Sequence, residues 1–188
     1  MVRFILSIIE PEGKTVTRSF RLDKAWHDSL AEIAEERGVS LSSLLEKVCR
    51  DYVLFYQWVE NLGSIIFSPN TVLEIINTLD EKQLREIAEK VAKSTFKESY
   101  MVRGDSLDFE TVRFQIKDQM GRYANWFTVI EHETDDHYFY IQHNYGEKWS
   151  FFVETYLSSL FRSIAEVDVE TERVDHNILV KIITGKQN

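Results

Sequence analysis

Between Thr15 and Val53 the chain sets apolar residues first in a period of two and then in a period near 3.6, but too few of them to enclose a core. "TVTRSFRL" alternates and reads as a strand. Asp23 is placed to N-cap the helix "KAWHDSLAEIAEERG", where Trp26, Leu30, Ile33 and Ala34 fall on one face. Gly38 suits the left-handed stop of that helix. Ser40 then caps a second, with Leu41, Leu44, Leu45, Val48, Tyr52, Phe55, Val59 and Leu62 in helical register almost to Gly63. At 1.5 Å per residue this second helix is about 33 Å long, enough to leave a small module and lead into the next. Phe20, Leu22, Trp26, Leu30, Ile33, Leu44, Leu45 and Val48 become buried only if a second copy of the chain covers them. Dimerisation is therefore the expected physical requirement of this region.

Strand alternation puts Val16, Phe20 and Leu22 on the side a partner would cover, and Thr17, Ser19 and Arg21 on the other. The order strand, helix, glycine, "GVS" cap and helix in "TRSFRLDKAWHDSLAEIAEERGVSLSSLLEKVCRDYV", Thr17 to Val53, resembles the ribbon–helix–helix repressors of the Arc, MetJ and CopG kind. The resemblance covers roughly a fifth of the chain and rests on order and spacing. It implies that two chains pair their strands antiparallel and that the two-stranded ribbon enters a DNA major groove. Thr17, Ser19 and Arg21 would then face base edges, Arg21 as a bidentate donor to guanine. The start of the second helix at Ser40, Leu41 and Ser42 would offer free N–H groups to a phosphate. Arg18 departs from the pattern, standing where that family keeps an aliphatic residue. The preceding "VRFILSII", residues 2 to 9, is also strand-like and is followed by the turn "EPEGK". If it pairs with Thr15 to Leu22 in its own chain, the dimer ribbon grows to four strands and no longer fits a groove about 12 Å wide.

Net charge is −9, which argues against a generic polyanion binder. Residues 1 to 53 hold eight Lys/Arg against nine Asp/Glu, so almost all the excess acid lies further on. Only four of the 24 aromatic residues precede residue 54, so the second part has the heavier core. Cys49 is the only cysteine, which rules out an internal disulfide and fits a reducing cytoplasm. Lying inside a helix, it reads as packed rather than nucleophilic. No apolar run approaches the twenty or so residues of a membrane span, and "MVRFILSIIE" is too short for a secretory signal.

Beyond Gly63, Ser68 with Pro69 opens a short helix, and Asp80 with Gln83 forms a capping box for another carrying Leu84, Ile87, Ala88 and Val91 inward. A third, after Asp105 or Asp108, carries Phe109, Val112, Ile116 and Met120. "NWFTVIEH" and "HYFYIQH" form a hairpin around Thr134-Asp135, pairing residue 132 with 137 and 126 with 143. That register makes His132 and His137 cross-strand neighbours near Glu133 and Asp136, a set able to ligate a transition metal but more simply a polar hairpin tip. It also places Trp126, Ile130, Phe139 and Ile141 on one face, with Phe127, Val129, Tyr138 and Tyr140 on the other. "GEKWSFFVETYLSSLFRSI" is an amphipathic helix with Trp149, Phe152, Tyr156, Leu160 and Ile164 in register. "VDVETER" and "ILVKII" close the chain as a second hairpin around Asp175 to Asn177. Trp126, His143, Tyr145 and Trp149 gather where the first hairpin turns into the helix and are the candidate lining of a small-ligand site.

In its order of elements, helices followed by ββαββ over residues 70 to 183, this second part resembles small sensor domains of the vinyl-reductase and haem-nitric-oxide-binding type. The YxSxR haem-propionate pattern is absent, since Tyr138 is followed by "FYIQ". The resemblance thus implies ligand response or dimerisation, with no cofactor and no metal. No GxSxG, P-loop glycine run, dinucleotide fingerprint or paired-carboxylate motif is present, so a non-enzymatic role is expected.

The expectation is an α+β chain. Residues 1–62 would form a ribbon–helix–helix dimerisation and DNA-binding module with a long linking helix. Residues 63–188 would form a regulatory domain of helices plus a ββαββ antiparallel sheet. The partners implied are operator DNA, a second copy (as a dimer or dimer of dimers), and a small-molecule effector, but no membrane. The competing reading is a sensor or adaptor protein that uses the first module only to dimerise.

Overall fold

The computed structural model describes residues 13–133 and 137–183; the run at 2–9 and the hairpin tip at Thr134-Asp135 lie outside the described residues. The fold is mixed helix and antiparallel sheet, and the chain divides into two compact units between Ser64 and Ile65.

The first unit, the head, is helical. In α1 (Lys24–Glu36) the Asp23 carboxylate accepts from the Ala25 N–H at 2.9 Å, and Gly38 at φ 64° ends the helix, with Val39 N–H donating back to the Ala34 carbonyl. Helix α2 (Leu41–Asp51) starts at Ser40, whose Oγ accepts from Ser43 N–H at 3.1 Å. It continues through a π turn (Tyr52–Tyr56) into α3 (Gln57–Asn61). A π turn accommodates an extra residue and so rotates the face beyond it. Trp58, beyond the turn, is buried, whereas Val48 and Tyr52, expected on the apolar stripe, are exposed, and so is Cys49, expected to be packed.

Residues 14–23 form no strand in the single chain. A strand is defined by its partner's hydrogen bonds, and no described residue supplies them to this segment. Both sides of it are exposed: Val16 is 72% and Phe20 63% accessible, and Trp26 on α1 67%.

The second unit, the body, holds the large core. Helix α4 (Pro69–Asn77) is capped by Ser68 and α5 (Glu81–Lys90) by a reciprocal capping box, Gln83 N–H to Asp80 at 2.8 Å and Asp80 N–H to Gln83 at 2.9 Å. Leu84 and Ala88 point inward, but Ile87, expected with them, is 41% exposed. The helix runs on through a π turn (Val91–Thr95) into α6 (Phe96–Arg103), an element the apolar pattern did not separate. Asp108 caps α7 (Phe109–Phe114), which continues as a π-helical stretch (Gln115–Tyr123).

Strands β1 (Thr128–Glu133), β2 (His137–Gln142), β3 (Val169–Val174) and β4 (Asn177–Ile182) form one antiparallel sheet in the order β1-β2-β4-β3. The second hairpin turns tightly at Asp175-His176, with Asp175 at φ 54°. Helix α8 (Glu147–Leu160), continued by Phe161–Ala165, packs against α5 on one side and β3 and β4 on another. The five residues expected in register, Trp149, Phe152, Tyr156, Leu160 and Ile164, are all buried, and burial spreads beyond that stripe. From Trp149 to Phe161 every residue but Glu154 and Ser158 is buried. A helix covered on several sides keeps only a narrow polar stripe, here Glu147, Glu154, Ser158 and Arg162.

Candidate functional site

The first hairpin is one residue out of the expected register. Glu133 stands opposite His137 and His132 opposite Tyr138, so His132 and His137 are not cross-strand neighbours. Because side chains alternate, that slip changes which residues share a face. Val129 and Glu131 join Phe139 and Ile141 on the inner side, while Ile130 is exposed rather than packed with them. The slip brings a carboxylate under the sheet.

Glu131 is only 5% exposed at its side chain. Arg113 Nε lies 2.8 Å from Oε1, Lys117 Nζ 2.6 Å from Oε2 and His137 Nε2 2.9 Å from Oε1. Burial by itself raises the Glu131 pKa; the hydrogen bonds from Lys117, His137 and Arg113 outweigh it and hold the carboxyl below its ordinary value. Glu133 and His137 sit close enough to Glu131 to suggest a metal cage. However, both Glu131 oxygens already accept from cations, and Arg113 also reaches Glu133 at 3.8 Å. An added divalent ion would have to displace Arg113 and Lys117. The arrangement is an ion-pair clamp tying the α7 segment to the sheet.

The aromatic group foreseen as a ligand lining does assemble. Trp126 meets Trp149 edge-on at 5.3 Å, Tyr145 meets Trp149 at 5.8 Å, and His143 stacks on Tyr145 at 6.1 Å. Its polar atoms are engaged within the chain. Trp149 Nε1–H donates to the Trp126 carbonyl at 3.2 Å, and Tyr145 O–H donates to the Asn125 carbonyl at 3.3 Å. Tyr145 N–H donates to His143 Nδ1 at 3.2 Å. With Nδ1 accepting, the ring proton sits on Nε2 and donates to Ser150 Oγ at 3.0 Å, and that hydroxyl passes its own proton to the Asp175 carbonyl at 3.0 Å. Ser150 is fully buried and His143 nearly so. Burial, with the nearby His176, lowers the His143 pKa to about 4. An imidazole that donates to the serine does not act as its base, so this pair fastens β2 and the β3–β4 turn to α8 rather than making a nucleophile.

In the head, the residues assigned to DNA are accessible. Thr17, Ser19 and Arg21 are exposed, as are Ser40 and Ser42 at the α2 start, with Leu41 half-buried. Behind them Phe20, Leu22, Leu41 and Leu45 line an open groove of about 480 Å³, with His27 and Asp28 at its edge. No helix among the described residues is long and apolar enough to cross a membrane. Comparison with known proteins matches no family model, no curated protein and no solved structure.

Proposed function

We propose that the chain is a homodimeric DNA-binding transcription regulator of the ribbon–helix–helix kind, with the body as its regulatory domain. One observation carries the reading. The head has well-capped helices but leaves Phe20, Leu22, Trp26 and Val48 exposed, next to a segment whose backbone has no strand partner among the described residues. A second copy, pairing residues 15–22 antiparallel, answers both deficits together: it supplies the missing ladder and covers the apolar side chains. The same pairing leaves Thr17, Ser19 and Arg21 outward on a two-stranded ribbon. Any effector would act by changing the spacing or order of the paired heads.

The test is fluorescence anisotropy on genomic DNA fragments, comparing wild type with Arg21→Ala over a salt series. Loss of a bidentate guanine contact weakens specific binding by about 1–3 kcal/mol. Binding that is absent even at low salt, in a protein that still dimerises, would favour the adaptor reading, in which the head serves assembly alone.

A further inference from the structure

We propose that the open face of the body's sheet is a second contact surface for another copy of this chain, packed face to face with strands aligned. Alternation along each strand sorts its side chains into two sets. Phe139, Ile141, Ile178, Val180 and Ile182 belong to the set that meets the helices, and all are buried. No described residue of the opposite set is buried, so no described element covers that face. The register lays it out in rows across β1, β2, β4 and β3. Ile130, Tyr140, Leu179 and Glu172 form the middle row, and His132, Tyr138, Lys181 and Glu170 the row beside it. A solvated face of an antiparallel sheet is ordinarily polar. Here three apolar or aromatic side chains run through the middle row, with Ile130 51% exposed at its end. They stand on a fixed surface: the Tyr140 hydroxyl donates to Asn177 Oδ1 at 2.8 Å, and the His132 ring stacks on Tyr138 at 4.9 Å.

The charges say which occupant fits and which way round. The acids of this face, Glu170 and Glu172, lie on the edge strand β3, whereas Lys181 and His132 lie on β4 and β1. A second copy related by a two-fold axis along the strands sets β1 over the partner's β3 and β2 over the partner's β4. His132 then meets the partner's Glu170, Tyr138 meets the partner's Lys181, and Tyr140 meets the partner's Leu179. Each contact occurs twice, as a self-complementary interface requires. A carboxylate faces a donor, an ammonium faces a ring, and apolar faces apolar. An axis across the strands would instead set Glu172 against its own copy, which is repulsive. Six residues per strand at about 3.4 Å, in four strands about 4.8 Å apart, give a face of about 400 Å². A standard interface takes about 800 Å² from each partner. The face is thus too small to hold two copies tightly alone, and suits a second contact in a dimer already joined at the heads. In that respect it rests on the reading above.

Sedimentation equilibrium of the full chain tests it, with Leu179→Lys and Tyr140→Glu made separately and then mixed. Each variant alone is expected to weaken self-association about tenfold or more. The mixture should recover most of that loss. In the mixed pair the introduced ammonium faces the introduced carboxylate across the axis, while the other Tyr140 and Leu179 still meet. Recovery also shows that both variants fold. Ile130, exposed and set over the partner's Glu172, gives a second reading that leaves the interior untouched. Ile130→Glu should weaken association, and Ile130→Lys should not. Association unchanged by Leu179→Lys, no recovery in the mixture, or equal weakening by both Ile130 variants would overturn the proposal and leave the face to a different protein. Weakening by Leu179→Lys but not by Phe20→Ala would remove the head reading and leave this contact standing. The reverse result would keep the head and remove the sheet face.

Discussion

The head and the body use similar local devices and reach opposite outcomes. Both have side-chain N-caps, Asp23 and Ser40 in one, Ser68, Asp80 and Asp108 in the other, and both interrupt a long helix with a π turn. The body buries twenty-five apolar residues in one cluster, whereas in the head only Ala34, Leu44 and Trp58 are buried among the described apolar residues. Caps and propensity decide where a helix begins and ends, each worth about 1 kcal/mol. Only apolar burial decides whether it stands alone. The body meets that condition within one chain; in the head most of the described apolar residues stay exposed.

The sharpest way to break this contrast is a pair of truncations. Phe139→Ala or Leu157→Ala, both at fully buried sites, should lower body stability by about 3–5 kcal/mol in urea unfolding, independently of protein concentration. Phe20→Ala should leave body unfolding unchanged and instead weaken self-association by about 2 kcal/mol, read by sedimentation equilibrium. A Phe20→Ala chain that associates as wild type does would show that the exposed head face is not the dimer surface.

Next in size is the clamp. Glu131→Gln removes a buried charge facing Arg113 and Lys117 and should cost about 3 kcal/mol. Its pKa is lowered on folding, so its contribution is present above the ordinary carboxyl value of 4.5 and is lost as pH falls through the folded value. His143 acts in an earlier window. Its folded pKa of about 4 lies below the ordinary 6.5, so between those values the unfolded chain binds the extra proton. Stability is full above pH 6.5 and falls as pH drops toward 4, by about 1–2 kcal/mol after allowance for residual solvent. His143→Gln should flatten denaturation midpoints across that window while leaving the lower, carboxylate-driven fall in place. The smallest effect expected is that of Asp80→Ala, about 1 kcal/mol in thermal unfolding of the body, from loss of the capping box.

Much of this architecture is legible along the chain because its signals are local. Capping pairs three residues apart, the glycine at 38, the apolar period of α5 and the turn at Asp175 are each set by neighbours within a few positions. The sheet's antiparallel ββαββ order follows from two hairpins with a helix between them. What escaped is what neighbours do not set. A one-residue slip in the β1–β2 register turns Glu131 inward, and nothing within the hairpin's own residues distinguishes the two registers, since both faces are rich in aromatics. The π turns at Tyr52–Tyr56 and Val91–Thr95 rotate helical faces without a residue type that announces them.

The sequence by itself determined most of the element types beyond Asp23, most of the caps, and the division into a lightly and a heavily apolar part. Those follow from composition and short-range spacing. Only the tertiary structure decided that burial on α8 spreads well beyond its expected apolar stripe, that Glu131 is clamped by three cationic or imidazole side chains, and that the Ser159 hydroxyl is buried without a hydrogen-bond partner. Each of those depends on residues far apart in the chain, and burial is a property of what comes to lie opposite, which no stretch of sequence carries alone.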